Sequence, residues 1–234
     1  MLHHYQKRIR FRISAHYTID MPSREWERFM DNFFGDPYMM WHDGIDPTSA
    51  AALKGEERDK AEEMLIQSMQ EGDYWAPMGL REMRSKKAIP IMKSLLSTAH
   101  CRQHIEISHA LLVLEDDLSY VDHLIHDLHN CGSEFDRLVV AMRFRDFNMS
   151  EIREKVISAL FHALENDPSY LVRIHSSDSL IYLHGLKQSS SEYREIFKHI
   201  VFGYKPEEKA DIETALEHYR TAARLLRELF AKKS

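Results

Sequence analysis

The sequence predicts an all-α chain built as an array of helical hairpins, on three observations. Gly and Pro are scarce, 8 and 7 in 234 residues, too few for the turns of an all-β fold, while the good helix formers dominate. From about residue 49 onwards, apolar residues recur at spacings of three and four, the period of a helix face. Alternating helix lengths with short connections then give about five antiparallel pairs, each able to shield its apolar face only by leaning on the next.

Composition sets the outer bounds. A chain of 234 residues with 44% hydrophobic and 29% charged content is of ordinary globular type. At this size about 70% of the unfolded chain's surface is buried on folding, so the core needs no covalent staples. Cys101 and Cys131 are too few for a disulfide framework and fit a reducing compartment. The formal charge is −6, and residues 1–19 hold Lys7, Arg8, Arg10 and Arg12 without any acid. The remaining body is therefore more acidic still, which disfavours nucleic acid as a partner because that affinity comes from neutralising phosphates. No run of about 18 apolar residues is present to span a bilayer. The expectation is a cytoplasmic protein without a membrane partner.

Residues 1–48 read as an N-terminal cap and residues 49–234 as the array. Within the cap, Ile9, Phe11, Ile13, Tyr17 and Ile19 alternate with Arg8, Arg10, Arg12 and His16, a short extended segment or strand over 8–19, although Tyr5, Ile9, Ile13 and Tyr17 also fit a helical stripe. A helix over 22–34 follows, with Trp26, Phe29, Met30 and Phe33 on one face. Residues 36–48, with Tyr38, Met39, Met40 and Trp41, read as an irregular loop. In the array, Ala61, Met64, Leu65, Ser68 and Met69 mark one helix and Trp75 to about Met83 a shorter one. Ala88, Met92, Leu95 and Leu96 mark the next; Ile105, His109 and Leu112 another; Leu118, Val121, Leu124 and Leu128 another. Phe135, Leu138, Val139 and Met142 mark a short helix by the same rule. Asn148 and Glu151 have the form of a capping box ahead of Ile152–Leu164. Asp167-Pro168 reads as an N-cap with proline at the first helical position, and Gly185 suits the far end of that helix. Ser189–Phe202 and a last amphipathic helix from about Pro206 complete the chain.

Two segments carry a resemblance. Ala88-Ile89-Pro90-Ile91-Met92 opens a helix with proline near its start, and Val172, Arg173, Ser176, Leu180 and Leu183 form a second helix with a small residue four positions after the valine. This pairing resembles the HEAT-like repeat family, including the short variant named after phycobilisome lyases, with Arg102, Ile105 and Leu112 as a degraded copy. The resemblance implies a HEAT-like alpha-alpha superhelix. More loosely, His42-Asp43-Gly44, Gly55-Glu56-Glu57-Arg58 and Tyr182-Leu183-His184-Gly185 look like short bacterial HEAT-like proteins, some of which act as immunity proteins against toxins.

Candidate chemistry is sparse. His126-Asp127 resembles the doublet of the all-helical metal-dependent phosphohydrolases, in which imidazole and carboxylate ligands hold water-activating metals. His104 or His109 upstream and Asp167 or Asp178 downstream would complete such a set. However, the doublet lacks the usual following glycine and base, and His123, His126 and His129 lie mostly opposite the apolar stripe, so a solvated helix face is the preferred reading. His100, Cys101, His104 and Cys131 are zinc-type ligands at no standard spacing, and Cys101 lies on an apolar stripe. No phosphate-cradling loop or nucleophile elbow is present.

These readings converge on a non-enzymatic, protein-binding array without cofactor or metal. It would hold a protein partner, in the specific version a bacterial toxin, on a groove lined by the second helices of successive pairs. Arg102, Glu106, Arg137, Arg143, Arg145, Ser177 and Asp178 are the expected groove residues. Trp41 is added because aromatic side chains are enriched at interfaces. The alternatives are a His-Asp metal phosphohydrolase and a helical-repeat nucleic-acid binder.

Overall fold

The structure is a computed structural model, and it describes residues 22–147, 150–187, 191–202 and 212–232. The described residues are all helical, with no strand among them. The strand expected over 8–19 and Asn148 of the expected capping box lie outside them. No helix among them is long and apolar enough to cross a membrane.

The chain opens with α1 (Arg24–Phe34), where the Ser23 side chain accepts from the Trp26 amide at 3.1 Å. Its amphipathic spacing places Trp26, Phe29 and Phe33 in the core. The same Ser23 donates to Glu57 at 2.6 Å, which fixes α1 to the array behind it. Residues 36–48 depart from the expected loop: Pro37–Asp43 is a helix, α2, followed by a single turn, α3 (Thr48–Ala51). Asp36 caps α2 through the amides of Tyr38 and Met39, and Pro37 supplies the favoured first helical residue. No residue of α2 is buried, so no apolar stripe announced it.

The array follows as α4 (Gly55–Gln70), α5 (Ala76–Glu82), α6 (Ala88–Leu96), α7 (Arg102–Glu115), α8 (Tyr120–Asn130), α9 (Glu134–Arg143), α10 (Arg153–Asn166), α11 (Tyr170–Leu183), α12 (Ser191–Ile200) and α13 (Ile212–Ala231). Packing joins α4 with α5, α6 with α7, α7 with α8, α8 with α9, α10 with α11 and α13, and α12 with α13. The second members also touch in order, α5 on α7, α7 on α9, and α9 on α11. One continuous apolar core runs between the layers, from Phe29 through Leu65, Leu111, Leu124 and Leu160 to Leu226. Each such fully buried side chain contributes roughly 1.5–3 kcal/mol.

Arginines close the ends of the second helices. The last carbonyls of a helix lack partners within it, and here Arg58 donates to Met83 O, Arg84 to Val113 O at 3.3 Å and Arg153 to Leu183 O at 2.7 Å. At the opposite ends, Arg137 donates to Cys131 O and Arg173 to Asp167 O, both at 2.7 Å and both six residues back. The same corner thus recurs before α9 and α11. It also corrects one expected boundary. Asp167 is not the cap of α11, which starts at Tyr170; its carboxylate instead accepts from Ser169 N and Arg137.

α9 is rotated from expectation. Phe135, Leu138, Val139 and Met142 read as its core stripe, yet Phe135 is 63% and Met142 41% exposed, while Val140, Ala141 and Phe144 fill the core. The buried face begins with Arg137, whose charge is met by Asp167 at 2.7 Å.

Close packing at α5 gives a test of this architecture. A Cβ at Gly79 would lie 2.7 Å from Phe33 Cζ and 2.9 Å from Leu65 Cδ1, and both neighbours are buried. Overpacking of this kind costs about 1–3 kcal/mol, partly offset by the roughly 1 kcal/mol that Ala gains over Gly within a helix. Gly79→Ala is expected to lower the urea midpoint, and an unchanged midpoint would show that the Phe33 ring moves aside freely.

Candidate binding face on the second helices

The expected groove residues divide into two groups. Glu106, Arg137 and Ser177 are buried, which corrects their assignment to an exposed groove. Glu106 is 0% exposed and takes both its carboxylate oxygens to Arg143 Nη2 at 2.7 Å. Arg102 Nε lies 3.0 Å from the same carboxylate but off the line of a hydrogen bond. Its guanidinium stands over the Tyr74 ring and 4.0 Å from Asp136. Burial raises the Asp136 carboxyl above its usual range, Arg102 opposes that rise, and Glu106 adds to it. Ser177 shares a hydrogen bond with the Tyr193 hydroxyl on α12 at 2.9 Å, and that hydroxyl donates to Asp178 at 2.5 Å.

His109 joins three helices. Its Nδ1 lies 2.7 Å from Arg81 Nη1 on α5 and 3.1 Å from Arg143 Nη1 on α9. Two guanidinium donors on one nitrogen require the neutral ring with Nδ1 accepting. Burial first, then the two arginine charges, lower its pKa well below the usual value. Arg145 continues this polar seam, donating to Ser179 Oγ at 2.8 Å and His175 O at 3.4 Å, while Ser179 donates to Ala141 O. The seam therefore ties α5, α7, α9 and α11 edge to edge and faces inward.

Between the seams a different surface is left in solvent. Counted from the matching corners at Cys131 and Asp167, Phe135 corresponds to Leu171, Val139 to His175, Met142 to Asp178 and Asp146 to Tyr182. The α11 set follows the i, i+4, i+7, i+11 spacing of one helix face, and so do Phe135, Val139 and Met142 on α9, while Asp146 lies past the end of that helix; the two helices pack side by side. The result is a shared face on which Phe135, Met142 and Tyr182 are exposed and Leu138, Val139, Leu171 and Ile174 half-buried. Trp41 stands elsewhere, 71% exposed on α2 beside exposed Tyr38 and Met39.

The metal alternatives find little support in the geometry. His104 Nδ1 does reach Asp127 Oδ2 at 2.5 Å, but His126 is exposed and 3.7 Å from the other oxygen. His109 turns to the arginines, Asp167 to Arg137 and Asp178 to Tyr193. Cys101 and Cys131 meet, and burial followed by that contact raises the Cys131 thiol pKa. Among the described residues, no group of three or more His, Cys, Asp or Glu side chains is placed to hold a metal ion. Comparison of the chain with protein-family models, curated proteins and solved structures finds no match in any of the three.

Proposed function

We propose that the chain is a HEAT-like array that holds a protein partner on its row of second helices, without chemistry of its own. The observation that carries this reading is the face shared by α9 and α11. Both helices already bury a face of their own, and a second one leaves Phe135, Met142 and Tyr182 in solvent beside His175 and Asp178. Ordered contacts from α5 to α11 support the array, since stacked pairs that touch mainly their neighbours in sequence are the mark of repeat proteins. Arg102, Arg143, Arg145 and Asp178 border this face half-buried, where charge fixes register and encounter more than affinity.

The test is a pull-down on the full chain against Phe135→Arg/Met142→Arg, with circular dichroism to show that the variant folds. Exposed substitutions of this kind change stability little, whereas bulky anchors at an interface centre carry most of its energy. The partner retained by the wild type is expected to lose at least tenfold in affinity. Equal retention by both would remove this face from the reading. A divalent-metal-dependent phosphatase activity abolished in His126→Ala would replace it with the hydrolase. The immunity version rests on the resemblance alone, and it requires the retained partner to be toxic when expressed without this chain.

A further inference from the structure

We propose that Cys101 and Cys131 are a redox-sensitive pair, which a peroxide closes to a disulfide that braces the middle of the array. The pair goes beyond the partner-binding reading and stands without it. Its ground is where the fold brings the only two cysteines of the chain. α7 and α8 pack as antiparallel neighbours, and His104 Nδ1 of the first meets Asp127 Oδ2 of the second at 2.5 Å. Cys101 lies three residues before His104, and Cys131 four residues after Asp127. Both therefore stand about one helical turn farther towards the same end, and there the two side chains meet. Cys101 has φ +36° and ψ −104°, a region that residues with a side chain rarely enter. Its side chain caps no amide of α7, which leaves the sulfur to Cys131.

The two thiols differ in access. Cys131 is buried, whereas Cys101 is half-buried and open to solvent on one side. Sensor cysteines are of this kind, one thiol reachable and a second one beside it to resolve the product. Cys101 is therefore the thiol that a peroxide oxidises first. Its thiolate attacks one oxygen of hydrogen peroxide and the O–O bond breaks. The departing hydroxide takes up the proton that the thiol gave, leaving sulfenic acid on Cys101 and one water. Cys131 then loses its proton and attacks the Cys101 sulfur, expelling a second hydroxide that takes this proton to become water. Two thiols are oxidised and one peroxide is reduced, and thiol exchange reverses the bond. Transient disulfides of this sort suit a compartment that otherwise keeps thiols reduced. The bond joins the start of α7 to the end of α8, beside the corner where Arg137 holds the Cys131 carbonyl at 2.7 Å.

Hydrogen peroxide added to the reduced full chain tests this, with mass spectrometry of the intact chain and of its peptides. The expected product is a monomer lighter by two hydrogens, with the Cys101 and Cys131 peptides linked until dithiothreitol frees them. Its urea midpoint is expected to lie above that of the reduced chain, because closing the loop constrains the unfolded state. Cys131→Ala is expected instead to gain oxygen at Cys101, since no second thiol remains to trap the sulfenic acid. Cys101→Ala is expected to lose its remaining, buried thiol about tenfold more slowly than Cys131→Ala loses its own. A wild-type chain that only gains oxygen, links only into dimers, or keeps both thiols free for maleimide would overturn the inference. So would a linked monomer no more resistant to urea than the reduced chain. These outcomes are read on the wild type, so a variant that fails to fold does not remove the test. None of them touches the partner-binding reading, which Phe135→Arg/Met142→Arg tests separately.

Discussion

Glu106→Ala is expected to cost about 3–5 kcal/mol of folding stability, the price of leaving one partner of a buried ion pair alone. Glu106 is fully buried, and among the described residues its carboxylate is the only anion that meets Arg143, through two bonds of 2.7 Å. Removing it leaves the Arg143 guanidinium in the seam beside Arg81 and His109, with Arg102 also short of its nearest carboxylate. A domain stable by roughly 5–15 kcal/mol would lose a large share of that. Urea denaturation at pH 7.5 measures the change. Glu106→Met/Arg143→Met, which removes both charges and keeps volume, is expected to recover most of the loss, because a well-packed apolar pair can replace a buried ionic one at little cost. If the double variant is as unstable as the single, the seam is held by Arg143 and His109 rather than by the ion pair.

How far the sequence announced this molecule depends on what each helix does with its faces. α6 begins and ends at Ala88 and Leu96, where the proline-initiated stripe placed it, and its buried Ala88 and Met92 lie on that stripe. α2 was missed because it buries nothing, although Asp36-Pro37 carried the cap-and-proline signal. At Asp167-Pro168 the same dipeptide was given more weight than it deserved: there the aspartate belongs to the corner and to Arg137. α9 shows the deeper difficulty. It has two stripes of i, i+3, i+4, i+7 spacing. The visible one leaves Phe135 and Met142 exposed and Leu138 and Val139 half-buried, and the hidden one starts with an arginine. A charged residue in a core position is unreadable unless its counter-ion is known to lie opposite, and Asp167 is 30 residues away in sequence. Three of the groove residues, Glu106, Arg137 and Ser177, read as surface for the same reason: polar side chains usually stay there, while long-range pairing takes these inside. The recurring corner, with Arg137 and Arg173 each bonding a carbonyl six residues back, would have aligned the two helices and exposed the register of their shared face.

Stability is expected to fall as pH drops from about 6.5 towards 5, with histidine as the cause. His109 is held neutral by burial and by the Arg81 and Arg143 charges, so its folded pKa lies well below the value of an unfolded histidine. His123, His129, His175, His184 and His199 are lowered as well, each first by burial. Below about pH 6.5 the unfolded chain therefore takes up protons that the folded one refuses. Unfolding gains up to about 1.4 kcal/mol per pH unit for each such proton. The contribution is complete above the unfolded pKa and is lost as pH falls towards the folded one. Asp73 and Asp136, whose pKa values are raised by burial, act in the opposite sense but nearer the carboxylate range. Urea titrations at half-unit steps from pH 7.5 to 5 measure the slope. His109→Asn keeps an acceptor near Nδ1 for the two arginines but does not titrate, so its slope between pH 6.5 and 5 is expected to be shallower by about one proton. An unchanged slope would mean that His109 takes its proton in the folded state, with Arg81 or Arg143 swinging away to admit it, and the seam would then be looser than its distances imply.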